Sequence, residues 1–182
     1  MPEALFLFKK GPLALAAAGR HLMASWRDLE QGTPHIARTG RALLEQARVA
    51  LLGTLRRDGS PRISPVEPYF AGGQLMFGVM GWSGKARDLR RDLRCVLHSA
   101  ISGPDAGEAE LKLYGLAAPA GDPLREACPE AWWSREPRAP ADVFLLDVTE
   151  AALIEWDLER GRMASTHWSP GRGLWEQARP YP

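Results

Sequence analysis

The chain has 182 residues, of which 45% are hydrophobic and 25% are charged, and its formal net charge is +1. This length fits one domain whose core needs no metal or disulfide to hold it together. A net charge so close to zero excludes a whole-molecule field that would steer the protein to nucleic acid, so any anion must be bound by a local cluster of cations. The two cysteines, Cys95 and Cys128, lie far apart in the sequence. Their spacing argues against a disulfide framework or a zinc site and predicts a reducing, cytoplasmic location.

The N-terminal part is predicted to be peripheral. Residues 1–38 are expected to form a leader and a helix, and residues 39–182 the folded domain. No apolar run is long enough to span a bilayer. The short apolar run near the start is broken by a glycine and an arginine before a clean cleavage site, so an amphipathic surface helix over residues 12–30 is favoured over a signal peptide. A natural start at Met23, with residues 1–22 as a loosely attached leader, is a further possibility, and the more regular pattern from Met23 onward favours it.

After a helix over residues 39–47, the hydrophobic pattern predicts short strands joined by turns. The predicted strands are residues 49–55, 62–70, 74–80, 95–101, 111–117 and 142–156, the last either bent or divided in two, with one more strand in the C-terminal tail. A helix over 85–94 follows the third strand, and the segment from 122 to 133 is helical or irregular.

Glycines and prolines mark the turns and edges of these strands. Asp58-Gly59 is the dipeptide that a type I′ hairpin turn prefers, because both of its central residues need positive φ. Pro65 and Pro68 predict an edge, a bulge or a bend in the second strand. Six or more short strands with one central helix favour a mainly β fold, a barrel with a helix packed against it. A doubly wound parallel sheet is excluded because it needs a helix between most strands.

The ordered set of elements is informative about family. A strand, a "DGSP" hairpin, a second strand, a Gly-Gly turn, a third strand, and then "GWSGKARDL" opening an arginine-rich helix follow one another over residues 40–120. This order resembles the flavin/deazaflavin split-barrel superfamily, whose best-known branch is pyridoxamine 5′-phosphate oxidase. The resemblance implies a six-stranded split β-barrel that forms a homodimer, with two cofactor sites at the dimer interface. The implied cofactor is FMN, with coenzyme F-420 as the alternative and haem as a less favoured one.

The resemblance also implies which residues contact the cofactor. They come from the second strand, the end of the third strand, the loop after it, the fifth strand and the C-terminal region. The implied contacts are Arg62, Ile63, Ser64, Pro65, Val66, Gly78, Val79, Trp82, Ser83, Lys85, Glu110 and Trp168. Backbone groups around Ser64 to Val66 are expected to donate hydrogen bonds to a flavin ring.

Three positions depart from the oxidase branch. Gly84 stands where that branch has a basic residue before the lysine, Glu67 ends the second-strand segment where it has another basic residue, and Glu110 replaces an expected amide. The substrate-binding Arg-Leu-His of that branch has no counterpart in the C-terminal tail. A true vitamin-B6 oxidase is therefore not expected.

Lys85 is the residue best suited to hold a phosphate. It can offer three charged donors at a helix start, where backbone N–H groups have no partner in the helix. Ser83 is the natural N-cap of that helix, a role compatible with touching a phosphate. Arg62 can reach the same phosphate or be an exposed hairpin charge, and Trp82 is either a lid over a cofactor ring or a dimer contact.

Other charged residues are predicted to be solvated. This applies to the turn residues Arg56 and Arg57 and to the helix residues Arg87, Arg90, Arg91 and Arg94. His98 is expected in the core or an interface, and His167 is a weak candidate for a substrate contact. No metal site, hydrolase motif or nucleic-acid surface is indicated.

The expected function is oxidoreduction. The sequence predicts a homodimeric FMN- or F-420-binding protein that performs two-electron transfer on a small organic substrate, with no catalytic residue assigned and no membrane contact. The alternative is a non-catalytic cofactor carrier or sensor, or a dimeric scaffold of the same fold.

Overall fold

A computed structural model describes residues 23–100, 109–135 and 140–181 of the chain. These form four helices, α1 (Trp26–Gly32), α2 (Pro34–Ala47), α3 (Gly84–Arg91) and α4 (Asp122–Glu126), and a 3-10 turn at Trp132–Ser134. The strands are β1 (Ala50–Leu55), β2 (Pro61–Val66), β3 (Pro68–Ala71), β4 (Gln74–Met80), β5 (Arg94–Ser99), β6 (Ala109–Pro119), β7 (Ala141–Asp157), β8 (Arg162–Ser169) and β9 (Gly173–Pro180). None of the helices in these ranges is long and apolar enough to cross a membrane.

All described strands belong to one antiparallel sheet whose two ends are neighbours in the chain. The order along the sheet is β2-β1-β5-β6-β7-β4-β3, and β8 and β9 form a hairpin that extends from β7. Only Glu67 separates β2 from β3, although these strands lie at opposite ends of the sheet. The sheet must therefore curl until its ends meet, which gives a barrel with a seam between β2 and β3.

The described residues form nine strands, three more than the six that the resemblance implied. Part of the difference arises because the predicted second strand is divided at Glu67, ahead of Pro68. The C-terminal tail adds a hairpin, and the long β7 is one strand, with a register shift opposite Tyr114 and Gly115. The helix after the predicted third strand is present as α3.

The first hairpin does not have the predicted type I′ turn. Such a turn needs positive φ at Asp58, but Gly59, with φ +82°, is the residue of this turn with positive φ. The N–H of Gly59 donates to Arg56 O, and the N–H of Arg56 donates to Ser60 O. This is a type I turn followed by a glycine bulge. Positive φ at two successive residues occurs instead at Gly72 and Gly73, between β3 and β4.

Helices α1 and α2 each begin at residues that are typical of a helix N-terminus. Ser25 and Asp28 cap each other reciprocally at the start of α1, and a proline opens α2. The predicted helix over 12–30 lies partly outside the described residues, and its described part is α1. Helix α2 starts at Pro34, earlier than the predicted residue 39.

The barrel encloses one main core and carries a smaller one on its outer side. Leu52, Phe77, Leu97 and Leu113 are among the fully buried residues of the main core, which also receives α1 and α2. The smaller core lies where α4 and the 3-10 turn cover the outer face of β4. Its buried members are Met76, Cys128, Ala131, Trp133 and Val143.

Candidate functional site

The N-terminus of α3 meets β2 beside the seam of the barrel. Ser83 is the N-cap, and its Oγ accepts the N–H of Ala86 at 3.2 Å. The N–H groups of Gly84 and Lys85 have no partner within the helix. Lys85 extends from this helix end to β2, where its Nζ donates to the carbonyl oxygen of Pro65 at 2.5 Å. Burial lowers the pKa of the Lys85 ammonium, because a buried cation loses solvation.

Ile63 is the residue of β2 whose backbone N–H points away from the neighbouring strand β1. Prolines at positions 61 and 65 flank it at a distance of two residues, and proline has no N–H to offer to β1. The prolines therefore occupy positions where β2 and β1 exchange no hydrogen bonds. Hydrogen-bonded and non-hydrogen-bonded pairs alternate along an antiparallel strand, so Ile63, two residues from each proline, is also in a non-hydrogen-bonded pair. The N–H and C=O of Ile63 point away from β1, toward the seam. Those of Ser64 and Val66 point to β1, so Ile63, and not Ser64 to Val66, presents an outward N–H.

Arg62 is held by a buried carboxylate. Its Nε donates to Oδ2 of Asp88 at 2.6 Å, and the hydroxyl of Thr54 donates to the same oxygen at 3.0 Å. Arg91 lies 3.6 Å from the other carboxylate oxygen, and its guanidinium also donates to the carbonyl of Leu55. Burial tends to raise the pKa of Asp88, but the hydrogen bonds from Arg62 and Thr54 outweigh it and the net pKa is lowered. Asp88 is therefore a fixed anion that joins α3 to β1 and β2.

The departure at Gly84 is explained by Arg62. A Cβ at position 84 would lie 2.9 Å from Cζ of Arg62, so the guanidinium occupies the space above the glycine. The positive charge next to the start of α3 thus comes from Arg62 on β2. In the oxidase branch that the sequence resembles, the corresponding charge is carried by a residue of the loop before the helix.

Two large apolar side chains are exposed on the segments that form this helix–strand junction. Ile63 on β2 and Trp82 in the loop before α3 are each 72% exposed. Exposed apolar groups of this size are candidates for contact with a planar ring or a second protein chain.

Two implied contacts at the end of β4 lie away from solvent. Val79 is buried in the main core. Gly78 faces the smaller core, where a Cβ would lie 2.4 Å from Cε3 of Trp133 and 3.0 Å from Cζ2 of Trp132. Indole rings of this chain therefore fill the space next to Gly78 that the resemblance assigned to a cofactor.

Trp168 also lies inside the protein. Its side chain is 7% exposed and belongs to the main core. It packs against the end of α1, where a Cβ on Gly32 would lie 2.6 Å from the indole Nε1. In the single chain this side chain contacts protein and not an open site.

The two unexpected carboxylates are both paired. Glu67 accepts a hydrogen bond from the hydroxyl of Tyr69 at 2.5 Å; burial and this bond raise the pKa of Tyr69 to about 12. Glu110 lies on the outer face of β6, with its Oε2 3.2 Å from Lys112 Nζ and 3.5 Å from His98 Nε2. Glu110 thus has the ammonium of Lys112 as a counter-charge, whereas Glu67 has a neutral hydroxyl donor.

The structure thus brings together the β2 residues, Ser83 and Lys85, and places Gly78, Val79, Glu110 and Trp168 elsewhere. Asp88 and Thr54, which fix Arg62, were not among the predicted site residues. Local spacing gives no signal for them, because Asp88 meets Thr54 and Arg62 only when the β1–β2 hairpin packs on α3.

Comparisons with known proteins address the fold. No family model matches the chain, and a search of the curated proteins finds no match. Among solved structures, a pyridoxamine 5′-phosphate oxidase-related, FMN-binding protein from Nostoc punctiforme is similar with a TM-score of 0.56 and 17% identity, covering 86% of this chain and 97% of that one.

Two further solved structures show the range of proteins with this architecture. PhzG from Burkholderia lata, in complex with tetrahydrophenazine-1-carboxylic acid, has a TM-score of 0.58 and 12% identity, covering 85% of this chain and 92% of that one. A heme-binding protein from Mycobacterium smegmatis has a TM-score of 0.54 and 16% identity, covering 80% and 88%. The chain therefore has the split-barrel fold that pyridoxamine 5′-phosphate oxidase-like FMN-binding proteins share with heme-binding relatives.

Proposed function

We propose that the chain binds the phosphate of FMN, or alternatively of coenzyme F-420, between the start of α3 and the outer edge of β2. The position of Lys85 is the observation that carries the proposal. Its hydrogen bond in the described structure goes to a neutral carbonyl, and burial already disfavours its charge. A phosphate would supply the counter-charge that this ammonium lacks, and the helix N-terminus would add to the attraction.

Each part of this junction has a role toward the cofactor. Lys85 binds the phosphate, and the N–H groups of Gly84 and Lys85 orient it. The outward N–H of Ile63 donates to the polar edge of the ring, while Trp82 shields the ring from water. The flavin, when bound, supplies the two-electron chemistry, and the substrate is a small organic molecule. Gly78 has no part in this site, because Trp133 fills the space beside it.

A homodimer belongs to the same proposal. The outer face of β5 and β6 carries Val96 opposite Tyr114, and Tyr114 is 43% exposed. Glu110 lies on the same face. A second copy covering this face would bury Tyr114 and bring residues of both chains to the cofactor.

The test is a titration of the apo protein with FMN, F-420 and haem side by side, repeated with Lys85→Ala. Loss of a charge-assisted hydrogen bond costs about 1.5–3 kcal/mol, so FMN or F-420 affinity is expected to fall roughly 10- to 100-fold. Arg94→Ala is the matched control, because Arg94 is exposed and pairs with Asp92. An unchanged affinity for both phosphate-bearing cofactors in Lys85→Ala contradicts the proposed phosphate site between α3 and β2.

The heme-binding relative with this fold makes haem the second candidate. Haem binding that Lys85→Ala leaves intact, with no binding of FMN or F-420, favours it. Reduction of the bound flavin by a nicotinamide donor separates an oxidoreductase from a cofactor carrier or sensor of the same fold.

A further inference from the structure

An open groove lies between the β1–β2 hairpin and α3. Its volume is about 510 Å³. It is lined by Arg56, Arg57, Asp58, Arg62, Arg87, Asp88 and Arg91, and we call it the arginine groove. Five guanidinium groups and two carboxylates leave a local surplus of three positive charges, in a chain whose net charge is only +1.

The two carboxylates of the groove are engaged with other partners. Asp88 is buried and held by Arg62, Thr54 and Arg91, as described above. Asp58 accepts the N–H and the hydroxyl of Ser60 through Oδ1, at 3.0 and 2.7 Å. Neither carboxylate forms an ion pair with the remaining arginines.

Three arginines of the groove have no ion pair with any described residue. Arg56 and Arg57 lie on the hairpin and Arg87 on α3, and all three are exposed. Isolated surface arginines are usually just solvated. Here, however, guanidinium groups from two separate elements converge on one concavity.

Exposed arginines elsewhere in the chain include some with a carboxylate partner and some, such as Arg38 and Arg48, that form no ion pair with a described residue. Arg94 lies 2.6 Å from Asp92, and Arg160 lies 3.0 Å from Asp157. The groove is therefore distinguished by the convergence of three arginines without an ion pair on one concavity, and not by the lack of an ion pair at any one of them.

We propose that the arginine groove binds a ligand group with two or more negative charges, a phosphate chain or a polycarboxylate. The guanidinium fork matches both phosphate and carboxylate oxygens through paired N–H donors. The groove is separate from the proposed phosphate site at Lys85, since Lys85 does not line the groove. Arg62 is the one residue that the groove and the phosphate site share. The proposal therefore does not rest on the proposed function.

The experiment is calorimetric titration of the full chain at low ionic strength with inorganic pyrophosphate, citrate and, as the singly charged control, acetate. The variants are Arg87→Ala and the double variant Arg56→Ala/Arg57→Ala, with Arg94→Ala as the matched control. We expect pyrophosphate or citrate to bind, and each groove variant to weaken that binding about tenfold or more, since each removes charged donors. Arg94→Ala should stay within about twofold. The two arms distinguish phosphate from carboxylate.

Lys85→Ala separates the groove from the cofactor seat. If the groove is a site of its own, this variant binds pyrophosphate or citrate as the wild type does, whatever happens to FMN. The proposal is overturned if neither polyanion binds at millimolar concentration, if the groove variants bind like the wild type, or if Lys85→Ala alone abolishes binding. Thermal unfolding of each variant checks that the fold is retained; the substituted arginines are exposed, so this is expected.

Discussion

At the scale of single residues, a charge next to the start of α3 comes from the strand and not from the loop. Arg62 lies over Gly84 because glycine leaves that space free, and Asp88 fixes the guanidinium from below. Thr54 completes the set by donating to the same carboxylate oxygen. The position of Arg62 thus depends on three residues from two other elements.

Asp88→Asn tests this dependence. The Asp88 side chain is 5% exposed, so the amide leaves Arg62 and Arg91 without their counter-charge. We expect the free energy of unfolding at neutral pH to fall by about 3 kcal/mol, measured by urea unfolding. Asp92→Asn, which removes an exposed pair with Arg94, should cost less than about 1 kcal/mol.

The pH dependence of the same variant follows from the sign of the shift. The folded pKa of Asp88 is lowered, so its contribution is complete above the unfolded value of about 3.9 and is lost as the pH falls from there toward the folded pKa. The difference in stability between wild type and Asp88→Asn should therefore shrink below about pH 4. A constant difference from neutral to acid pH contradicts the assignment.

The place of Lys85 at the start of a helix could be predicted from the sequence, and the burial of Asp88 could not. A lysine in the first turn of a helix is unfavourable against the helix dipole, and this misplacement suggests a ligand. An aspartate inside an arginine-rich helix resembles a solvated surface pair. Its burial arises only when the β1–β2 hairpin packs on the helix, which is a long-range contact that local spacing does not encode.

At the scale of elements, the cover formed by α4 and the 3-10 turn decides what β4 can contact. Strand β4 points Phe77 and Val79 into the main core and Met76 and Gly78 into the smaller one. Trp133 is buried against Gly78 and stacks edge-to-face on Tyr69, with ring centroids 4.8 Å apart. The cover therefore depends on the absence of a side chain at position 78.

Gly78→Ala should loosen this cover. The added methyl would lie 2.4 Å from Trp133, and overpacking of this kind costs about 1–3 kcal/mol. We expect a lower urea midpoint and tryptophan fluorescence shifted toward the exposed state. Gly121→Ala is the control, because its methyl would meet only Pro123 Cδ at 3.8 Å. Equal stability of the two variants contradicts the proposed packing.

The order of the elements was readable from the sequence because alternation and turn residues are local signals. The break at Glu67 was marked by Pro68, and the hairpin near Asp58 was placed correctly although its turn type was wrong. The cover on β4 was not predicted, since the segment from 122 to 133 has neither helical nor strand periodicity. The tryptophans of this segment pack against β4, which lies in a distant part of the sequence.

At the scale of the whole molecule, the outer face of β5 and β6 is the surface for the proposed second copy. Tyr114→Glu places a charge at its centre. If the dimer forms there, the wild type has twice the 20.0 kDa mass of the chain by light scattering, and Tyr114→Glu is a monomer with weakened cofactor binding. Leu158→Glu, at an exposed position beyond β7, should remain a dimer. A wild type of single-chain mass contradicts the proposal.

The single residue between β2 and β3 constrains how this chain can change in length. Because Glu67 alone joins the two ends of the sheet, an insertion there would let the ends separate and would part Lys85 from the carbonyl that it holds across the junction. Among the described strands, the β8–β9 hairpin pairs with the rest of the sheet through β7 alone, so the turn between β8 and β9 can lengthen without reopening the barrel. Insertions are therefore expected to be tolerated in the turn between β8 and β9, whereas the connection at Glu67 must stay short.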